Sequence, residues 1–426
     1  MRGRRQTLKL RGTLVLLSAL VGLGLFAGPS SAADKVIKIG TLYPLTGAVA
    51  TAGQRCKAAV ETAVEVINNA HPELDVPLAK QAGLLDGYKI ELVHADHQGK
   101  PNVGKNEAER LFNQEEVYSI VGCYNSAVTK PASFVAERKG KIFMCGASSS
   151  AALTKRNFNY FFRIAPTDEI ESIEFVDVIE MLNEKNNAGI TTVACIAENS
   201  EFGVHAMQEG EKAAKEGGFD VLETIPFSPG ATNMNSEVQT LKAKNPDVVF
   251  AGCLGGDYTL WVQTMKQMNW LPKAVFNYCS GYQDPVIADQ LGPDGEYFMG
   301  GTGYSPEFAD LMPAVHGVEK IYKEKTSPSV PFDSDSIRVA VAMLTLAQAI
   351  EQAGTTDTEA VAEVLRTAEF ASPLSMSQKV AFAPGGQNVK AQSMITQLID
   401  GEYRRVYPPH LAEHEIVYPM PSWDQR

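Results

Sequence analysis

Two short stretches carry the groups best suited to holding a small polar solute. One is Gly122-Cys123-Tyr124-Asn125-Ser126 and the other is Gly146-Ala147-Ser148-Ser149-Ser150. Each follows a short apolar run, at residues 117–121 and 141–145. Hydroxyls and main-chain N–H groups placed beyond strand ends form a neutral cradle for a carboxylate or amide oxygen, helped by the positive end of a helix dipole. Such a cradle binds and does no acid–base work. Serines after strands are also common helix N-caps, and it is the recurrence of two such turns close together that points to a site. The other candidates are weaker. His94-Ala95-Asp96-His97, with His410 and His414, has a metal-like spacing, but two histidines in a strand-to-loop segment are more often solvated, and no metal is expected. Gly255-Gly256 before Asp257 is a poor nucleotide signal. No Gly-x-Gly-x-x-Gly follows a strand and no Gly-x-Ser-x-Gly elbow occurs, so neither a dinucleotide cofactor nor a serine nucleophile is expected.

The stretch from Val117 to Thr154 reads as strand, helix, strand, and a parallel pair needs such a crossover. In open α/β sheets, ligands sit beyond the carboxyl ends of the strands. Similar units come before and after. Strands are predicted at 36–40, 87–93, 191–197, 219–225, 248–253 and 274–279. Helices are predicted at 53–69, 102–113, 168–182, 204–216, 236–244, 307–323, 334–353 and 358–367, from apolar residues recurring at helical spacing. Asp168 with Glu171 resembles a capping box. The tail, 380–407, is strand-like. Two successive runs of alternating strand and helix predict an α/β protein with two parallel-sheet lobes.

The chain has 426 residues, enough for two domains. Arg2, Arg4, Arg5, Lys9 and Arg11 precede an apolar run at 14–27, and Gly28-Pro29-Ser30-Ser31-Ala32-Ala33 supplies small residues for cleavage. This pattern predicts a secretory signal over 1–33 and a periplasmic address. Arg4-Arg5-Gln6-Thr7-Leu8-Lys9 leaves twin-arginine export open beside the ordinary route. No later run is long and apolar enough to span a bilayer, so no membrane anchor is expected. Losing a leader with five basic and no acidic residues takes the formal charge from −12 to −17. That balance disfavours nucleic acid and anionic lipid as partners. The six cysteines, Cys56, Cys123, Cys145, Cys195, Cys253 and Cys279, are widely spaced, and no pairing is assigned.

In order and spacing, these residues resemble the leucine/isoleucine/valine-binding family of periplasmic substrate-binding proteins of ABC importers. The resemblance covers nearly all of the mature chain. It rests on Ile37-Lys38-Ile39-Gly40 through Leu45-Thr46-Gly47, Val121-Gly122 with Ser126, Lys130-Pro131-Ala132-Ser133 and Ala147-Ser148-Ser149. Phe161-Phe162-Arg163, Glu201-Phe202-Gly203 and Pro246-Asp247-Val248-Val249 complete it. It implies a type I periplasmic binding protein: two Rossmann-like lobes joined by a three-crossing hinge, closing on a small ligand. Lobe one would comprise 34–163 and 302–372, and lobe two 164–301 and the tail, 373–426. The implied partners are a small-molecule ligand and a membrane permease, with the protein expected to be a monomer that performs no chemistry. An α/β enzyme and an amide-sensing receptor of the same fold are the alternatives.

The resemblance also implies site residues. Ser126 and Ser149 would grip a carboxylate or amide, flanked by Tyr124, Asn125 and Ser148, with Ala147 offering main chain and Phe202 covering the ligand from lobe two. One position departs from the family. Cys279 stands where amino-acid binders usually place an acid for the α-ammonium, and Leu254 where a tyrosine is frequent. A buried ammonium without a counter-charge is costly. Asp257 or Asp284 could substitute from nearby turns. Otherwise an amide or small carboxylic acid is expected to bind better than the matching amino acid.

Overall fold

The computed structural model describes residues 35–278 and 281–426. The leader and Cys279 lie outside the described residues. Strands β1 (Val36–Tyr43), β2 (Lys89–Asp96), β3 (Ser119–Gly122), β4 (Phe143–Cys145) and β5 (Phe161–Arg163) form one sheet in the order β2-β1-β3-β4-β5. Every pairing in it is parallel. Helices α1 (Ala50–Asn68), α2 (Pro101–Asn113) and α3 (Ser126–Arg138) make its crossovers. Such a sheet is covered on both faces, so β3 and β4 are buried throughout.

The second sheet contains β6 (Thr192–Glu198), β7 (Asp220–Phe227), β8 (Val248–Gly252), β9 (Ala274–Asn277) and β10 (Met299–Thr302), extended by β13 (Met394–Ile399) and β14 (Glu402–Tyr407). Its order is β14-β13-β10-β9-β8-β6-β7. The first five strands pair in parallel, whereas β13 and β14 add antiparallel at the edge. The β13–β14 pairing has a local reason: Asp400-Gly401 is a two-residue turn, both residues at positive φ, and it can only join antiparallel neighbours. Helices α4 (Asp168–Asn186), α5 (Glu201–Glu216), α6 (Asn235–Lys244) and α7 (Gly255–Gln267) cover this sheet. A short α8 (Pro285–Leu291), a hairpin of β11 (Glu369–Ala371) and β12 (Lys379–Ala381), and helices α9 (Pro306–Asp310), α10 (Pro313–Lys325), α11 (Ser334–Ala353) and α12 (Thr358–Thr367) complete the architecture.

Three local expectations change. The single helix expected over 307–323 is two, because Pro313 opens a new helix at its first position, where its missing N–H is no loss. The cap of α4 is Thr167, whose hydroxyl accepts from Ile170 N, and Asp168 is already helical. The α8 segment was not foreseen; Asp284 caps it by accepting from Val286 N, and Pro285 starts it.

α11 is buried along nearly its whole length, as its run of apolar residues on every face requires. It lies directly on the end of β4. A Cβ on Gly146 would stand 2.8 Å from Val339 Cα, so only glycine lets the helix approach this closely. The start of α11 is thereby brought beside Ala147, Ser148 and Ser149.

Candidate functional site

The two hydroxyl-rich turns end neighbouring strands of the first sheet, and the structure brings them together. Tyr124, Asn125, Ser126, Ala147, Ser148 and Ser149 line one side of a cavity of about 20 Å³. Phe202 and Leu254 close it from the second lobe, and Asp335, at the start of α11, completes the lining. Phe202 is held by the turn before it. Ser200 caps α5 by accepting from Gly203 N at 3.3 Å, and its own hydroxyl donates to Glu198 Oε1 at 2.6 Å. A Cβ on Gly203 would stand 1.9 Å from Glu198 O, so the first turn of α5 can form here only with glycine.

The three serines differ in what they can offer. The Ser148 hydroxyl lies 2.7 Å from Thr129 Oγ1, 2.9 Å from Tyr124 O and 3.2 Å from Cys123 O. Those bonds tie one turn to the other and leave it little to give a solute. Ser126 Oγ accepts only a long bond from Ser150 N, 3.4 Å. Ser149 faces the cavity with Asp168 behind it: Asp168 N donates to Ser149 O at 3.2 Å. Burial pushes the Asp168 carboxyl up to about 7, against the pull of the Ser149 hydroxyl and Arg163. Asn125 Oδ1 is buried and accepts no hydrogen bond.

Arg163 holds the second turn from behind. Its Nη1 donates to Ser150 O at 2.5 Å and more weakly to Ser148 O at 3.4 Å. Its Nη2 donates to Thr154 Oγ1 at 3.0 Å and its Nε to Gln387 Oε1 at 2.8 Å. It is fully buried, and burial brings its pKa down to about 10, with Cys145 and Asp168 pulling the other way. It therefore stays charged at neutral pH.

Asp257 is not in the cavity lining. Its Oδ2 accepts from Gly230 N at 2.8 Å, which fixes the carboxylate against a neighbouring loop of the second lobe. Asp284 is also engaged elsewhere. Its two oxygens accept from Arg55 Nη1 and Nη2, each at 3.0 Å, and Thr51 Oγ1 lies 3.3 Å away. Arg55 Nε pairs in turn with Asp333 Oδ2 at 2.7 Å, and all three side chains are buried. Burial alone would lower the Arg55 guanidinium, but Asp333 and Asp284 outweigh it and hold it above its ordinary pKa. Arg55 belongs to α1 and Asp333 caps α11, whereas Asp284 follows β9. The triad thus bridges the lobes, as does the outer pair of Lys130 and Glu201 at 2.7 Å. Gly255, at φ +48°, lets the loop before α7 approach Ala48 O, where a Cβ would stand 3.2 Å away.

Asp335 was missed in the sequence. Asp333-Ser334-Asp335 before an apolar helix reads as a cap and a favourable first turn. Asp333 does cap, accepting from Ser336 N at 2.9 Å. Asp335 turns into the cavity instead, and burial, then Asp333, push its carboxyl up to about 7 while Arg338 and Arg55 draw it down. An acid is therefore present, contributed by the first lobe. The histidines of the metal-like motif have separate partners: His94 lies 3.2 Å from Glu61 and 2.7 Å from Thr41 Oγ1, and buried His97 accepts from Gly99 N at 3.0 Å. Burial takes His97 down to about 4. Glu307, Glu413 and His414 cluster elsewhere, but Glu307 already pairs with Arg404 at 2.7 Å and His414 at 2.8 Å. Cys56, Cys123, Cys145, Cys195 and Cys253 are buried free thiols.

Two α/β lobes meeting over a small cavity at strand ends define a hinged solute-binding protein. The comparisons agree: residues 36–402 match the periplasmic binding protein family model, and the chain belongs to that family. A relative, Leu/Ile/Val-binding protein homolog 7 of Brucella suis biovar 1 (strain 1330), is 28% identical over 415 residues, 95% of this chain and 99% of that one. The leucine binding protein LivK of Thermotoga maritima shares the fold, with TM-score 0.75 at 20% identity over 87% of this chain and 98% of that one. So does a solute binding protein of an ABC transporter from R. palustris in complex with benzoate, with TM-score 0.72 at 16% identity over 87% and 95%. No helix among the described residues is long and apolar enough to cross a membrane.

Proposed function

We propose that this protein is the exported substrate-binding component of an ABC importer, taking up a small polar organic solute and handing it to a membrane permease without chemical turnover. The observation that supports this most is the lining of the cavity: donors from two strand ends of one lobe face apolar covers, Phe202 and Leu254, from the other. The solute's oxygen sits among Ser126, Ser149 and the main chain near Ala147. Tyr124 and Asn125 flank it, and Ser148 acts as the brace between the two turns. The lobes comprise 34–163 with 302–372, and 164–301 with the tail, and the leader at 1–33 directs export. Solute classes to test come from the relatives, whose names and complexes include leucine and benzoate.

Ser126→Ala and Ser149→Ala are each expected to weaken binding by about 1–3 kcal/mol, because each leaves a desolvated solute acceptor without its donor. The wild type should first be screened for rises in melting temperature with amino acids, amides, urea and small aromatic acids, since a solute that binds only the folded state stabilises it. Calorimetry of both variants with the best solute then decides. Unchanged affinity in both would move the site away from the two turns.

A further inference from the structure

A second cavity, of about 520 Å³, lies beside the Arg55 triad. Asp333 stands in its wall, as do Gln283 and Pro285 on either side of Asp284, yet it shares no lining residue with the serine cavity. Small-molecule pockets are of this size, about 300–1,000 Å³. One wall comes from α8, the chain leaving β10 and the turn into β14. The other comes from α10 and residues 326–334, which lead into α11. Three rings, Tyr304, Phe332 and Tyr403, and three prolines, Pro285, Pro306 and Pro331, give it an apolar interior. Tyr304 and Phe332 meet edge to face, with centroids 5.4 Å apart.

The polar groups of that interior are already spent. Thr302 Oγ1 donates to Tyr304 O at 2.8 Å, Ser334 Oγ accepts from Gly303 N at 2.8 Å, and Ser305 Oγ accepts from Phe308 N at 3.2 Å. The Tyr304 and Tyr403 hydroxyls donate to Glu319 Oε1 and Tyr282 O. Such a lining rewards apolar surface and asks little of an occupant's polar groups. Its charge is one-sided. Four carboxylates, Asp289, Glu319, Asp333 and Glu402, stand against one ammonium, Lys323. Lys323 meets Glu319 at 2.7 Å, and Arg55 meets Asp333. Arg404, the next cation along β14, is taken by Glu307 at 2.7 Å. Exposed Asp289 and Glu402 are in no salt bridge among the described residues. An anion is therefore disfavoured, whereas a cation gains both from these carboxylates and from the ring faces.

We infer that this cavity is a second small-molecule site, separate from the serine cavity, and that it takes an amine carried on an aryl body. The body lies among Tyr304, Phe332 and Tyr403, and the ammonium lies at the exposed edge, by Asp289 and Glu402.

The test uses the mature full chain and four probes: phenethylamine, its uncharged counterpart 2-phenylethanol, its anionic counterpart phenylacetate, and ethylamine, which keeps the charge and lacks the ring. Each is titrated calorimetrically into wild type and into Ala288→Trp, whose new ring fills the cavity from α8, so that binding lost in the variant belongs to this cavity. Phenethylamine should bind with a Kd below about 1 mM and lose that binding in Ala288→Trp. It should bind about 2- to 30-fold more tightly than 2-phenylethanol at low salt, the worth of two exposed ion pairs, with phenylacetate and ethylamine both weaker than phenethylamine. Asp289→Asn combined with Glu402→Gln should erase the advantage of the amine over the alcohol. Ser126→Ala and Ser149→Ala should leave phenethylamine binding unchanged. The inference is overturned if phenethylamine does not bind, if Ala288→Trp leaves its affinity intact, or if the phenylacetate binding lost in that variant is as tight. It is equally overturned if the amine keeps its advantage in the double variant, or if either serine variant weakens it, which would put the amine in the serine cavity. Melting temperatures of the free variants establish that they fold; should Ala288→Trp not fold, the double variant and the two serine variants decide.

Discussion

Arg55→Met is expected to destabilise the protein by about 3–5 kcal/mol, because it leaves two buried carboxylates, Asp284 and Asp333, without their shared cation. Chemical denaturation of the free protein gives the number. The size follows from the asymmetry of buried ion pairs: the intact pair contributes modestly, and its half-removal strands a desolvated charge. Arg55→Lys should not rescue it fully, since the fork that reaches both Asp284 oxygens and Asp333 is a property of the guanidinium. Replacing Asp284 by Asn in the Arg55→Met background should restore part of the loss by removing one stranded charge. A loss below about 1 kcal/mol in Arg55→Met would mean that water reaches the triad and that it does not fasten the lobes.

Arg163→Met should be comparably damaging, by more than about 3 kcal/mol, since it strips a donor from Ser150 O, Thr154 Oγ1 and Gln387 Oε1 together, and each stranded acceptor costs about 1–3 kcal/mol. Its effect on binding has a different signature from that of the site serines. Arg163 never touches the cavity; it clamps the carbonyls on either side of Ser149. Loosening that clamp should weaken every solute by a similar factor and leave the order of preference intact. Titration of two chemically different solutes checks this. A change in preference without a general loss would show that Arg163 acts on the solute directly.

The strand-end turns were legible because their information is local. A short apolar run followed by glycine and hydroxyl residues specifies both the strand and what stands beyond its end, and Tyr124 through Ser126 and Ala147 through Ser149 do share one lining. What the residue types could not distinguish was the division of labour within the trio. Ser148 is spent on Thr129 and Tyr124, a fact that depends on how close two turns come. Asp335 and Arg55 were illegible for a stronger reason. Each lies in a helix whose apolar pattern explains its presence as core, and neither gives a local sign of its direction. Asp335 reaches the cavity only because Gly146 lets α11 settle onto β4. Arg55 is tolerable in the core only because Asp284 and Asp333 arrive from distant parts of the chain. Long-range partners of this kind leave no trace in spacing. The antiparallel edge of the second sheet was half visible, since Asp400-Gly401 marked the turn but not the sheet it joins.

The narrowness of the cavity has a thermodynamic consequence. About 20 Å³ leaves room for little more than one water molecule, which needs roughly 10–15 Å³ on this measure. Any solute of several heavy atoms must therefore wedge the lobes further apart than they stand here. Each affinity is then a net quantity: the attraction between solute and lining, less the mechanical work of that separation, part of it done against the attraction between Arg55 and Asp284. Bulk carries its own penalty on this account. Along a homologous series, the longer member buries more apolar surface against Phe202 and Leu254 while stretching the bridge behind them, so the tightest ligand sits at an intermediate length.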